Sequence, residues 1–385
     1  MQEGTEKDME IKEWRSLAVQ SVSLFLVVML CCVSFSGRIQ QEPLETVTAE
    51  EKKQEQLEEE TEQEEDVEKV ANATKAQVES RSDTYIRIPK TELIKDAEVV
   101  IHNEYMESKI EVVFNGVPAG SVTKDSILRV QGFEVNKGPA QTKEALLKKL
   151  VINDDKKALA SENVIRVDML TKTLYEPALF EAEDAYYISL AEPKNVFDKI
   201  VVIDAGHGGM DEGTSSQDGR HVEKDYTLLV VKKLKKLLEQ ENIKVYYTRL
   251  EDIGVSKTDR TKLANRLQAD LFVSIHCNAS SVGDTTAYGL ETLYSKRKLD
   301  GDQISNKRLA QIILNCLADE TGFRNRGIIQ REQLYLLHHA DVPTTIVEIG
   351  YMSNKNDLKY ITKDSGQQKV ATGIYAGIMK ALSEK

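Results

Sequence analysis

The second half of the chain alternates continuous apolar runs with segments of helical spacing, and this alternation limits the fold more than any other feature. The apolar runs are KIVVIDAG, KVYYTR, LFVSIHC, GLETLYS, LYLL and TIVEIG, while helical spacing covers residues 224–240, 258–268, 306–320 and 368–382. Apolar strands that alternate with amphipathic helices are typical of a mostly parallel sheet with helices on both faces. We therefore predict an α/β domain over residues 198–385.

Residues 83–197 show a different pattern. The runs TYIRIP, EVVIHNEY, KIEVVFNGV, NVIRVDML and AYYISLAEP are short and are separated by turn-rich or charged segments. Apolar and polar residues alternate in IEVVF and IRVDML, as they do in half-buried antiparallel strands. We predict a small β-rich, sandwich-like module here, with one helix at residues 142–150.

The amino terminus contains a long uncharged run. Residues 16–37 carry no charge, and about 22 residues suffice to cross a hydrocarbon core of about 30 Å. Lys7, Lys12 and Arg15 precede the run, and only Arg38 follows it before an acidic tract. This bias predicts an uncleaved transmembrane helix. The first residues would lie in the cytoplasm, and the residues after the helix would lie on the extracytoplasmic side. The alternative is a signal peptide cleaved near Ser34 and Ser36, which would release a secreted protein.

An acidic segment separates this run from the β-rich module. Residues 38–82 are dominated by Glu and Gln and contain no aromatic residue. Such a segment buries too little apolar surface to offset its ordering entropy, which predicts a flexible linker between residues 1–37 and the folded part. The net charge of −12 argues against a nucleic-acid partner, because phosphates attract a basic surface. The four cysteines include no CxxC pair, which argues against a thiolate zinc site.

Candidate metal ligands follow or begin three separate predicted elements. His207 lies between glycines at the end of VVIDAG, His276 ends LFVSIHC, and Glu223 begins the first helix. Two imidazoles and one carboxylate form a three-ligand zinc site that keeps a position for water. The spacing alone is a weak signal, since a helix-borne HExxH motif is absent and a histidine of this kind also occurs in cores and turns.

A further carboxylate lies inside an apolar strand. Glu348 interrupts TIVEIG, where an unpaired charge is costly unless it serves a function. It is therefore a candidate proton acceptor, and the alternative is a buried ion pair.

The blocks VVIDAGHGGMDEG, EKDYTLLVVKKLKKLL, YYTRLED, DRTKLANRLQADLFVSIHCNAS, GLETLYS, NRGI and VEIGYMSN occur in this order. Over residues 199–382 the chain thereby resembles the zinc-dependent N-acetylmuramoyl-L-alanine amidases of bacterial cell-wall turnover. The resemblance implies that His207, Glu223 and His276 hold one Zn(II) ion and that Glu348 is the catalytic carboxylate. It implies a peptidoglycan hydrolase that uses zinc-activated water to cleave the amide between the lactyl group of N-acetylmuramic acid and the L-alanine of the stem peptide.

Two other functions stay open at this point. One is a zinc peptidase acting within the stem peptide, and the other is a non-catalytic cell-wall-binding protein. The module at residues 83–197 is either a spacer that packs on its neighbour or a contact with the wall or a divisome partner. The predicted location is the cell membrane with the catalytic domain outside, or the medium if the signal is cleaved.

Several residues near the predicted metal site are interpreted as supporting the ligands or as lying outside the site. Arg260 matches a family position near the site and is interpreted as structural, while His221 is a candidate for the outer shell of the metal. Cys277 stands where the family commonly has a small residue, and strand alternation directs it to the face opposite His276. In some members of the resembled family a long inserted helix blocks the site. The interval between residues 295 and 306 is too short to leave much room for such a helix, so we predict an open site.

Overall fold

The structure, a computed structural model, describes residues 85–123, 147–154, 164–281, 284–299 and 303–384. These residues all belong to one compact unit. The predicted transmembrane segment at residues 16–37 and the acidic linker at residues 38–82 lie outside the described ranges. Within those ranges, no helix has the length and apolar character needed to cross a membrane.

Seven strands form two antiparallel sheets in the first half of the described chain. They are β1 (Tyr85–Pro89), β2 (Glu98–Glu104), β3 (Lys109–Asn115), β4 (Leu147–Asp154), β5 (Val164–Thr171), β6 (Glu176–Glu181) and β7 (Ala185–Ala191). The sheet orders are β1-β7-β6 and β2-β3-β5-β4. Alternate residues of β3 and β5 pack with those of β1 and β7 into one shared core, which includes Phe114 and Ile188.

One element of this module differs from its prediction. Residues 147–150, the described part of the helix predicted at 142–150, belong to strand β4. Leu150 pairs with Met169 and Ile152 pairs with Val167 in the antiparallel ladder to β5. The helix prediction is wrong there because the LKKLV spacing fits a helix locally, while the pairing with β5 decides the structure.

Six strands form the sheet of the second half. They are β8 (Ile200–Ala205), β9 (Lys244–Tyr247), β10 (Leu271–Asn278), β11 (Leu290–Tyr294), β12 (Asn325–Gln330) and β13 (Thr344–Tyr351), in the order β12-β11-β13-β10-β8-β9. Strands β9, β8, β10 and β13 are parallel, and β11 runs antiparallel to β13 and parallel to β12. The mixed, mostly parallel sheet confirms the predicted α/β architecture.

Helices cover both faces of this sheet. They are α1 (Pro193–Val196), α2 (Glu223–Leu238), α3 (Lys257–Arg266), α4 (Asn306–Thr321), α5 (Tyr335–His339), α6 (Lys355–Ile361) and α7 (Asp364–Ser383). Helices α2, α4 and α7 share a core with one strand face, which carries Ile203 and Ile275. Residues of α3 and α5 pack on the opposite face, which carries Val202 and Phe272. The sequence predicts the four long helices to within a few residues.

The run LYLL is not a strand. It lies at the start of helix α5, and the remaining strand of the sheet is β12, with the sequence NRGIIQ. A run of four apolar residues does not distinguish a buried strand from a buried helical turn. The polar β12 is an edge strand, so its residues are only partly buried and lack a continuous apolar signal.

The β-rich module packs on the free edge of strand β9. The Tyr105 hydroxyl donates to the Tyr247 carbonyl at 2.7 Å and accepts from the Tyr247 amide at 3.1 Å. Glu176 accepts hydrogen bonds from the Tyr246 hydroxyl at 2.8 Å and from the Lys244 ammonium. The module therefore satisfies backbone groups that an edge strand leaves unpaired.

Candidate metal centre

His207 is held in an unusual backbone conformation just after strand β8. Its φ is 62°, in the left-handed region that few non-glycine residues adopt. The Arg260 guanidinium donates to the His207 carbonyl at 2.6 Å and to the Ala205 carbonyl at 2.7 Å, and it also pairs with buried Asp204. Burial raises the pKa of Asp204, but the charges of Arg260 and His276 and the hydrogen bonds from Ser274 and Thr248 together outweigh burial and keep the pKa below its usual value. The structural role predicted for Arg260 agrees with these contacts.

A second buried arginine supports the same turn. Arg249 donates to the Ala205 and Gly206 carbonyls, both at 2.9 Å. Two guanidinium groups thus bind three consecutive carbonyls, from residue 205 to residue 207. The fixed backbone aims the His207 imidazole at the carboxyl ends of the parallel strands, where open α/β sheets place their sites.

The structure brings the three predicted ligands together. His207 Nε2 lies 3.2 Å from Glu223 Oε2, and His276 Nδ1 lies 2.8 Å from Glu223 Oε1. One potential ligand atom from each residue lies within 4.8 Å of the others. Ligands at 2.0–2.1 Å from a tetrahedral zinc lie about 3.3 Å from each other, so the spacing fits this ion.

The charges of the cluster also fit a cation. Burial raises the pKa of Glu223, but its contacts with His207 and His276 outweigh burial and hold the pKa well below its usual range. Burial lowers the pKa of both imidazoles, and the Glu223 carboxylate reverses this and raises both above the usual value. A carboxylate that stabilises positive charge on both rings is suited to hold a dication between them.

Outer contacts orient each ligand. Asp211 Oδ1 lies 2.9 Å from His207 Nδ1, which leaves Nε2 of that ring facing the cluster. The two oxygens of Glu223 accept from the Thr214 amide at 2.8 Å and the Cys277 amide at 2.9 Å. Carboxylates that bind the far nitrogen of a ligand histidine fix its tautomer and orientation. Sequence reasoning missed Asp211, although its position four residues after His207 in a turn was a usable signal.

Two glycines leave room for the ligands. A Cβ on Gly206 would lie 2.4 Å from Cε1 of His276. A Cβ on Gly213 would lie 2.6 Å from Oε2 of Glu223, and the φ of Gly213 is +70°. Both positions therefore require glycine if the three ligands are to keep their places.

Glu348 lies beside the cluster on strand β13. It pairs with His276 in the parallel ladder to β10 and with Glu291 in the antiparallel ladder to β11. Its side chain is 9% exposed, and its Oε2 accepts no hydrogen bond from the described part of the chain. Burial raises the pKa of Glu348 to about 7, although the His276 charge opposes the rise. A carboxyl with such a pKa exchanges protons near neutral pH.

The remaining candidates lie outside the cluster. Cys277 faces the core on the side opposite His276 and is a free thiol, as is Cys316. The His221 ring contacts the Tyr226 hydroxyl at 2.5 Å rather than a ligand. No helix is present between β11 and α4 among the residues described there, and the open site stays a prediction.

Comparison with known proteins gives consistent matches. The family model described as N-acetylmuramoyl-L-alanine amidase, Amidase_3, matches residues 201–380. The probable cell wall amidase LytH of Staphylococcus epidermidis is 35% identical over 187 residues, which are 48% of this chain and 59% of that protein. The germination-specific N-acetylmuramoyl-L-alanine amidase of Bacillus subtilis is 30% identical over 201 residues, covering 49% of this chain and 81% of that protein.

A solved N-acetylmuramoyl-L-alanine amidase from Clostridium difficile 630 is also similar, with 36% identity and a TM-score of 0.45. The match covers 49% of this chain and 98% of that one. The chain spans less than two thirds of the length of the LytH relative. The matched region contains the ligand cluster and Glu348.

Proposed function

Because this chain belongs to the N-acetylmuramoyl-L-alanine amidase family, we propose that it cleaves the amide bond between N-acetylmuramic acid and the L-alanine of the stem peptide in peptidoglycan. The observation that carries the proposal is the buried carboxyl of Glu348 beside two imidazoles and a carboxylate that fit a zinc ion. Membership of the family supports the choice of the cleaved amide bond and of peptidoglycan as the substrate.

The residues divide into holders of the metal and a proton carrier. His207 Nε2, Glu223 and His276 Nδ1 would hold Zn(II), and Asp211 orients the first imidazole. When bound, the ion lowers the pKa of a water molecule and polarises the substrate carbonyl. Glu348 Oε2 has no hydrogen-bond donor to compete for it in the described chain, so it accepts the proton of the attacking water. The same carboxyl then donates this proton to the nitrogen of the departing L-alanine.

The test is digestion of purified peptidoglycan with zinc-loaded full chain, followed by mass spectrometry of the products. New amino termini on L-alanine support the amidase, whereas release of D-amino acids indicates a peptidase acting within the stem. Glu348→Gln should retain zinc and lose turnover, and chelation should abolish activity. The control is Glu320→Gln, which removes an exposed carboxylate of helix α4. Binding to the wall without any cleavage by the zinc-loaded wild type would refute the proposal.

We also propose that residues 16–37 anchor the chain in the cell membrane with the amidase domain outside. The uncharged run and the basic residues before it support this location, and so does the substrate, which lies outside the membrane. Protease added to intact protoplasts should degrade the domain, and alkaline extraction should leave the chain in the membrane fraction. Recovery of the chain in the medium, shortened at its amino terminus, would instead support signal cleavage. A wall or divisome contact through residues 83–197 stays a prediction.

A further inference from the structure

A row of charged residues crosses four neighbouring strands at the site. His276 on β10 lies opposite Glu348 on β13, and Glu348 lies opposite Glu291 on β11. Arg326 on β12 continues the row, because its Nε donates to Glu291 Oε1 at 2.5 Å. Residues directly opposite each other on paired strands point to the same face of a sheet. The row therefore runs from a metal ligand to an arginine at the edge strand.

Glu291 is firmly held within this row. Besides Arg326, the Tyr351 hydroxyl donates to its Oε1 at 2.9 Å, and the Asn278 amide donates to its Oε2 at 3.1 Å. The residue is only 7% exposed. Three donors from three different strands leave this carboxylate little freedom to turn, since each would lose its partner.

Arg326 is less enclosed than its partner. Its side chain is 26% exposed, and its guanidinium lies 5.1 Å from the centre of the Tyr351 ring. Besides the Glu291 ion pair, the guanidinium makes a long 3.5 Å contact with the Tyr288 carbonyl. The ion pair with Glu291 is thus the main contact that fixes the direction of the guanidinium.

The catalytic carboxyl is the next acceptor along the row. Glu348 lies two strand spacings from Arg326, or about 10 Å between backbones, which an arginine and a glutamate side chain together can span. Glu348 also has an oxygen with no donor in the described chain. Opposite charges in a buried site attract strongly, so a guanidinium released from Glu291 would turn towards Glu348. A carboxylate bound in that way no longer passes a proton between water and the leaving amine.

We propose that Glu291 is a positioning residue that holds Arg326 away from Glu348 and so keeps the catalytic carboxyl free for proton transfer. The inference rests on the proposed amidase function for its catalytic consequence. It accounts for the position of buried Glu291 opposite buried Glu348, since burying two neighbouring carboxylates is unfavourable unless they serve a function. The apolar context of Glu291 in GLETLYS was the same signal that identified Glu348 in the sequence.

The activity test compares single and double variants of the full zinc-loaded chain. Glu291→Gln removes the charge and keeps one acceptor oxygen, which serves either Tyr351 or Asn278, because these two donate to different oxygens of the carboxylate. We expect kcat to fall about 100-fold, within the range that a general base supplies, while KM stays within about threefold. Adding Arg326→Met should restore kcat to within about tenfold of the wild type, because no guanidinium is then free to capture Glu348.

The outcomes separate the two proposals. The control Glu332→Gln removes an exposed carboxylate that lies just beyond strand β12, and it should leave kcat unchanged. A wild-type chain that cleaves peptidoglycan while Glu291→Gln is equally active refutes the positioning role alone. A Glu291→Gln loss that Arg326→Met does not relieve also refutes it, since the loss would then not depend on the guanidinium. A wild-type chain without activity refutes the proposed function.

A second test does not depend on activity. In chelator-treated protein, a double-mutant cycle of Arg326→Met and Glu348→Gln measures the coupling of the two side chains in the free energy of unfolding. We expect no coupling in the wild-type background and a stabilising coupling in the Glu291→Gln background. Equal coupling in both backgrounds would overturn the inference.

Discussion

Replacing Glu348 with glutamine should make the stability of the metal-free protein much less dependent on pH. The wild-type carboxyl is buried, its Oε2 has no donor in the described chain, and Glu223 and Glu291 add negative charge nearby. Burial, as the largest effect, raises its pKa from the usual 4.5 to about 7. Glutamine has the same shape and never ionises.

The sign follows from proton binding in the two states. Below pH 4.5 the carboxyl is protonated in both the folded and the unfolded chain, so it causes no penalty. Between pH 4.5 and about 7 the unfolded chain loses the proton while the folded chain keeps it, and the stability falls as the pH rises. Above about pH 7 both states are ionised and the penalty is complete. A shift of about 2.5 pH units corresponds to about 3 kcal/mol.

Urea unfolding followed by circular dichroism at several pH values between 5 and 9, with a chelator present, measures this difference. Glu348→Gln should gain about 2.5 kcal/mol relative to the wild type between pH 5 and pH 9, because part of the penalty is already present at pH 5. Any cost of burying the amide is independent of pH and does not affect this slope. The exposed Glu320→Gln variant serves as the control and should follow the wild type. Parallel curves for the wild type and Glu348→Gln would show that burial does not keep this carboxyl protonated, and the assignment of its proton-transfer role would lose its physical basis.

Three further substitutions test the construction of the site. Gly206→Ala should weaken zinc binding at least tenfold while the chain stays folded, because the new Cβ meets the His276 ring at 2.4 Å; equal zinc affinity by competition titration would contradict this. Asp211→Asn should weaken zinc binding by about 10- to 100-fold, as outer-shell partners of metal ligands do, and retention of the wild-type affinity would remove Asp211 from the site. Arg260→Met should lower the free energy of unfolding by about 3–5 kcal/mol, because it leaves the buried Asp204 carboxylate without its cation. A loss below about 1 kcal/mol in urea unfolding would show that the pair is not important for stability.

The sequence predicts the parallel part of the α/β sheet because its strands are long and continuously apolar. Residues that end such strands, such as His207 and His276, meet at one edge of the sheet whatever the loops between them do. Glu348 is visible for a related reason, since a charge within an apolar strand needs an explanation. These signals are local in the sequence. The parallel arrangement of the strands brings the residues that carry them together at one edge of the sheet.

The missed features depend on partners that are distant along the chain. Strand β12 is polar because it is an edge strand, and its place is set by pairing with β11. The role of Glu291 depends on the register between β11 and β13, which places it opposite Glu348 rather than one residue away. A shift by one residue would turn its side chain to the other face, and nothing in GLETLYS alone fixes that register.

The contact between Tyr105 and strand β9 has a consequence for the solubility of the amidase domain. A single hydroxyl occupies both the carbonyl and the amide of Tyr247, so the module occludes part of a strand edge that could otherwise pair with another molecule. A fragment that begins at residue 198 would expose this edge together with the apolar surface around Tyr246. Such a fragment should aggregate more readily than one that begins at residue 85, and self-association would then lower the activity measured for the shorter piece. The module therefore keeps part of the β9 edge from pairing with a second copy of the chain.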